Sequence, residues 1–281
     1  MKNYVRKSLT ALLFILFAGS PQITVGQNDQ SFVNEYFNKI EIKSIDESLQ
    51  KYRMTAIYTN RDLYGKFIDK TKVIGDYTRG LGDDLVKWEN VYTSKSAGVN
   101  EPFSSAIKQD YMENITYVPS DDMLNAARFA NFPPSAEAVY ARNLIWDMMG
   151  IEGFAWDHLD FLELNKTYLI PEITGEFEMA DVGTYSHATV QLCWTGISVI
   201  DNMFYAVIEY EALDNIVNIT MPAIKTQGTE QYWGTVLVSL ETREIGSAVM
   251  YSGSMQEIEI AGMENKLLIK TIRELKLEKL D

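Results

Sequence analysis

The decapeptide AWDHLDFLEL, residues 155–164, gathers Trp156, Asp157, His158, Asp160 and Glu163 into one stretch. An imidazole between carboxylates is raw material for acid–base catalysis or for a metal site. His158 is one of two histidines; the other is His187. Helical zinc signatures set two histidines about one turn apart, and these two lie in different zones of the chain, so no metal site is expected. If residues 155–163 are helical, Asp157 and Asp160 share a face with His158 about 100° off it. That pattern favours a solvated helical face, on which Asp157, His158 and Asp160 stand as the candidate catalytic residues.

Other reactive patterns are sparse. There is no G-x-S-x-G elbow, no S-x-x-K and no C-x-x-C, which removes the familiar nucleophile motifs. His187 and Cys193, if on one strand, would sit roughly 20 Å apart along it and could not share a proton. Cys193 is the single cysteine, so no intrachain disulfide can form; it reads as a half-buried strand residue. Glu176 with Glu178, Glu209 with Glu211 and Glu257 with Glu259 form three E-x-E pairs, each projecting from one strand face about 7 Å apart. That separation overlaps the carboxylate spacing of inverting glycosidases, yet three copies describe a solvated sheet surface better than one active site. No G-x-G-x-x-G and no Walker motif occurs, so no cofactor is expected. Asn114, Asn165 and Asn218 each open a glycosylation sequon, which matters only in a eukaryotic host.

Aromatic and soft side chains are abundant: 5 Trp, 16 Tyr, 12 Phe and 12 Met. They suit the core between a helix layer and a sheet, and they equally suit a cavity for an apolar or amphipathic ligand. Trp146, Met149 and Trp156 are the candidate ligand-binding residues.

The elements that must position these groups fall into zones. Residues 31–50 carry apolar residues at helical spacing, with Ser44 and Glu47 as a capping box. Residues 51–96 alternate: Tyr52, Met54, Ala56 and Tyr58 share a face, as do Val73 with Tyr77 and Val86 with Trp88 and Tyr92, the mark of half-buried antiparallel strands. Residues 100–165 read as a mainly helical insertion. One helix starts at Ser120 and ends before Pro133 and Pro134; a second is capped by Ser135 and stops at Gly150. Alternation returns over residues 168–281, with ETRE (241–244) closing a hairpin. The last segment, KLLIKTIRELKLEKL, fits either a helix or a strand.

The N-terminus has the three-part layout of a secretory signal peptide. Lys2, Arg6 and Lys7 precede an apolar run from Leu9 to Ala18, followed by small and polar residues, and cleavage is expected after Gly26. Residues 1–26 are thus read as the signal peptide and 27–281 as a single α+β domain. No second long apolar run occurs, so no transmembrane anchor is expected after cleavage. Formal net charge is −14 for the 281 residues, and loss of the three leader cations leaves 22 Lys+Arg against 39 Asp+Glu, or −17. Such a surface repels nucleic acid and anionic membranes.

The short helix, the meander around YRMTAIYTNRDLYG, the helical insertion and closing hairpins such as GTVLVSLETREIGSAVM together resemble the LolA-like periplasmic proteins in architecture and element order. That resemblance implies a curved antiparallel, half-barrel-like sheet packed on the central helical insertion, and a role in holding lipid or lipoprotein acyl chains. It transfers no individual residue. The first expectation is therefore an exported binding or carrier protein, periplasmic or secreted, for an apolar small molecule, a lipid or a protein partner. The alternatives are an exported hydrolase, with glycans as a candidate substrate class, using carboxylates near 157–163, and an outer-membrane barrel, whose strands also alternate.

Overall fold

A computed structural model of the chain describes residues 48–201, 203–221 and 223–280. The expected signal peptide and the helix over 31–50 lie outside these residues, apart from Ser48 to Gln50, where Gln50 opens the first strand. Thirteen strands form one curved antiparallel sheet in the spatial order β4-β3-β2-β1-β13-β12-β11-β10-β8-β7, with β5 (Ile115–Tyr117) on β3, β9 on β10 and β6 (Thr167–Leu169) on β9. The two strand zones of the sequence join because β1 (Gln50–Asp62) and β13 (Leu267–Leu280) pair along twelve residues. The sheet stays open, since β4 (Ile107–Lys108) and β7 (Gly175–Glu178), at the ends of that order, do not pair. A membrane barrel must close every edge, so the barrel alternative is overturned. One α-helix among the described residues, α1 (Ala136–Trp156), packs on the inner face. The class is α+β, as expected.

Alternation sets the inner face. Tyr52, Met54, Ala56 and Tyr58 of β1 are all buried, as are Val73 and Tyr77 of β2 (Phe67–Arg79). On β3 (Val86–Ser96) the expected set fails at its third member: Val91, not Tyr92, enters the core. Asn90 adopts φ 55° and the β2–β3 register shifts there; such a bulge reverses which residues face inward. Gly75 lies opposite, where an added Cβ would come within 3.1 Å of Leu144 and Trp88, so the missing side chain is what lets the helix settle on the sheet.

The helical insertion holds less helix than its periodicity implies. Residues 121–129 form two 3₁₀ turns, Asp121–Leu124 and Ala126–Phe129. The extended Asn125 divides them and its side chain accepts from the Ala127 amide, a local bond that competes with helix continuation. The start of α1 is as expected, with the Ser135 side chain capping the Ala138 amide. Its end is not: α1 runs through Gly150 and Gly153 to Trp156. A glycine costs an interior helix only about 1 kcal/mol, and Ile151, Phe154 and Ala155 beyond it are buried, which outweighs that cost. The expected helix over 155–163 is replaced by the end of α1 and a 3₁₀ turn at Leu159–Phe161. The ETRE hairpin connection is one residue longer, 240–244, between β11 (Ile224–Ser239) and β12 (Ile245–Ile260). The ambiguous last segment is a strand, fixed by pairing with β1 on one side and β12 on the other.

Lengths create the site. Strands β10 (Met203–Met221), β11 and β12 have 19, 16 and 16 residues, or roughly 53–63 Å at a strand's rise. The 21-residue α1 spans only about 31 Å. The helix therefore leaves part of the inner face uncovered. At Ala212–Asn215 a bulge, with Asp214 at φ 56°, divides the free edge of β10. Below it β9 (Thr189–Ile200) pairs, and above it β8 (Gly183–His187). The expected single strand through His187 and Cys193 is thus two strands. The β7–β8 hairpin reaches across to the 3₁₀ segment, where the Ala180 amide donates to the Leu124 carbonyl at 2.9 Å.

Candidate ligand cavity

Between the exposed inner face of the sheet, α1 and the β7–β8 hairpin lies a partly open cavity of about 610 Å³. Ligand sites occupy roughly 300–1,000 Å³. The helix contributes the stripe Val139, Asn143, Trp146, Gly150, Gly153 and Asp157, spaced at three and four residues so that all face one side. Two members of that stripe are glycines, and a Cβ on Gly150 would meet nothing within 4 Å. The hairpin contributes Phe177, Met179, Val182, Tyr185 and His187.

Strand register makes the sheet wall change character along its length. At the far end Ile219, Thr226 and Ile258 pair across β10, β11 and β12, followed by Val217, Gly228, Gln256 and Ile269. Next come Glu230, Ser254, Thr271 and Asn60, then Tyr232, Ser252, Arg273 and Tyr58. Below them Met250 and Leu275 close the core. An apolar end thus grades into a polar band set deep in the fold.

Arg273 centres that band. Its Nη1 donates to both carboxylate oxygens of Asp147 at 2.9 and 3.1 Å, its Nε donates to the Ser252 hydroxyl at 3.3 Å, and Nη2 lies 3.7 Å from Glu230. Burial would lower the Arg273 guanidinium, but Asp147 and Glu230 hold it well above its ordinary value. Burial pushes the Asp147 carboxyl up to about 6 against the opposing pull of Arg273. His187 is tied twice: Nδ1 lies 3.0 Å from the Ile173 carbonyl and Nε2 3.1 Å from the Tyr232 hydroxyl. A carbonyl can only accept, so Nδ1 carries the proton and Nε2 accepts from Tyr232. Burial lowers the pKa of His187, which keeps it neutral. The buried Tyr185 hydroxyl makes no hydrogen bond of good geometry, with Glu230 the acceptor beside it.

The sequence candidates divide. Trp146 and Met149 line the cavity, Trp146 held by its indole N–H to the Met123 carbonyl at 3.0 Å. Trp156 is not among the lining residues; its indole N–H donates to the Arg243 carbonyl at 2.8 Å and the Arg79 guanidinium stacks on its ring at 3.9 Å. Asp157 and His158 line the cavity, His158 with a buried Nδ1 that has no hydrogen-bond partner, and burial raises the Asp157 carboxyl while His158 draws it back. Asp160 is not brought to them; it is exposed and pairs with Arg243. None of the E-x-E glutamates lines the cavity: those of β7 and β10 are exposed, and Lys266 bridges Glu257 and Glu259. Among the described residues no His, Cys, Asp and Glu cluster could hold a metal. Cys193 is half-buried on β9, as expected.

Arg273, Asp147 and Glu230 were not singled out by spacing, though a signal exists. Arg273 falls in phase with Leu275 and Leu277, Glu230 in phase with Tyr232, and Asp147 on the helix stretch NLIWDMM: each is a charge in an apolar register.

No family model and no curated sequence matches the chain. Among solved structures it is similar to one titled "lipid-protein interactions in lipovitellin", at 10% identity and a TM-score of 0.37, over 83% of this chain and 25% of that one. The chain thus spans about a quarter of the lipovitellin chain. It is also similar to a DUF1329 family protein from Desulfovibrio piger ATCC 29098, at 8% identity and a TM-score of 0.15, covering 82% of this chain and 86% of that one. Both likenesses are too weak to bear on function.

Proposed function

We propose that the protein is an exported carrier that holds an apolar or amphipathic small molecule in the cavity between α1 and the sheet. The observation that carries this reading is the cavity itself: about 610 Å³, walled by Trp146, Met149, Phe154, Phe177, Val217, Ile219 and Ile258, with a polar band centred on Arg273 across the sheet. Apolar walls with a small number of placed polar groups are the usual build of a ligand site. Asp160 is exposed and paired with Arg243, so the 157–160 cluster is not assembled and catalysis by it is the weaker reading.

Export rests on the leader-like residues 1–26. Its check is N-terminal sequencing of protein collected outside the cytoplasm, which should begin at Gln27. For binding, native mass spectrometry of gently purified protein should show an added mass that organic extraction removes. Unliganded protein that takes up no long-chain amphiphile would refute the carrier reading.

A further inference from the structure

The cavity also has a charge character that selects among amphiphiles; this step rests on the carrier reading. Its lining holds one permanent cation, Arg273, against three carboxylates, Asp147, Asp157 and Glu230. Arg273 has no vacant edge. Nη1 is taken by Asp147, Nε by Ser252, Nη2 faces Glu230 and the Met250 sulfur, and the guanidinium lies 5.9 Å from the centre of the Tyr58 ring. An incoming carboxylate or phosphate would have to displace Asp147 and then share one guanidinium with two buried acids. Like charges in a desolvated site repel strongly. Of the two lining histidines, His187 is fixed by its hydrogen bonds as the neutral Nδ1–H tautomer, and His158 lies beside Asp157, whose charge an incoming anion would also meet.

Within the polar band around Arg273, unspent capacity lies on the acceptor side. Glu230 is only 16% exposed, and its nearest cation atom, Arg273 Nη2, is 3.7 Å away, beyond a good hydrogen bond. The Tyr185 hydroxyl faces the same cavity beside Glu230, the one acceptor near it, and makes no hydrogen bond of good geometry. Buried polar atoms in this condition call for a partner. A ligand hydroxyl can donate to Glu230 and accept from Tyr185, and an ammonium can donate to Glu230 and offset the excess negative charge. We infer that the cargo is an amphiphile whose polar end is a non-anionic hydrogen-bond donor, a hydroxyl or an ammonium, seated at Glu230 with its chain along α1.

Isothermal titration of the full exported chain at pH 7.5 with dodecylamine, 1-dodecanol and laurate, each below its aggregation threshold, separates the cases. The amine and the alcohol should each bind at least about tenfold more tightly than laurate. Glu230→Gln keeps the shape and removes the charge, so it should cut the amine-to-laurate ratio about tenfold while changing the alcohol little. A laurate affinity equal to or above the other two overturns the head-group assignment and leaves the carrier reading standing. An amine-to-laurate ratio unchanged in Glu230→Gln also overturns it. If none of the three binds, the carrier reading falls with it. The three-probe order on the unaltered protein holds as a test even if the variant does not fold.

Discussion

Gly150 offers the sharpest perturbation. It sits inside α1 with ordinary helical backbone, lines the cavity, and has nothing within 4 Å of where a Cβ would stand. Replacing it can therefore fill the cavity without strain. Gly150→Ala should stabilise the protein by about 1 kcal/mol through helix propensity, raising Tm by about 2–4 °C for a chain of this size, and should leave binding intact. Gly150→Phe adds a ring that needs about 150 Å³, roughly a quarter of the 610 Å³ present. Such a ring excludes on the order of three to four methylenes of a bound chain, each worth about 0.8 kcal/mol. The sum, about 2.4–3.2 kcal/mol, is roughly a 60- to 200-fold loss of affinity. Calorimetric titration with 1-dodecanol beside a thermal melt reads both quantities. Binding unchanged in Gly150→Phe, with the fold intact, would show that the ligand does not use this cavity. A stability loss above about 2 kcal/mol would show that the space beside Gly150 is not open.

Three further outcomes are expected. Burial pushes the Glu152 carboxyl up to about 7, its Oε1 accepting from the Tyr77 hydroxyl at 2.7 Å and lying 3.9 Å from Arg79. Because the folded value exceeds the unfolded one, the native state binds the extra proton between about pH 4.5 and 7 and stability falls as pH rises through that window, by on the order of 3 kcal/mol. Urea titrations at pH 5 and pH 7.5 should show this fall, reduced in Glu152→Gln; the same fall in both proteins would discard Glu152 as its source. Arg273→Met strands Asp147 and Glu230 without their shared cation and should cost about 3–5 kcal/mol in urea unfolding, whereas a change below 1 kcal/mol would mean the cluster is already solvated. Trp88→Ala removes a fully buried indole that packs on Tyr77 with ring centres 5.1 Å apart and donates to the Tyr117 hydroxyl at 3.0 Å; about 3–5 kcal/mol should be lost, and a near-native melt would contradict that packing.

The sheet was legible because period two survives wherever one face is buried, as Tyr52 to Tyr58 show. It failed at Asn90, where a bulge inverts the phase, and strand pattern alone carries no sign of a bulge beyond an asparagine tolerant of positive φ. Helix ends were read from local residues, and burial overrode them at Gly150, while Asn125 divided a helix whose apolar spacing looked continuous. The site was legible only on its helical side. Trp146 and Met149, picked out as large soft side chains, line the cavity. Trp156 is equally large, but as the last residue of α1 it falls off the stripe that faces the cavity and donates to the Arg243 carbonyl. The polar band was hidden for another reason: Asp147, Glu230 and Arg273 are separated by as many as 126 residues and meet only through strand register and the placement of the helix. Asp157, His158 and Asp160, adjacent in sequence, are split by the end of α1, which sends Asp160 to Arg243. Closeness in sequence misled where closeness across the sheet decided.

Anomalous diffraction from crystals grown with 12-bromo-1-dodecanol tests the central claim most directly. A cavity that holds an amphiphile with its hydroxyl at Glu230 predicts one bromine peak among Val217, Ile219 and Ile258, at the apolar end of the wall. Bromine found only outside the space between α1 and the sheet, with the cavity holding ordered water, would contradict it.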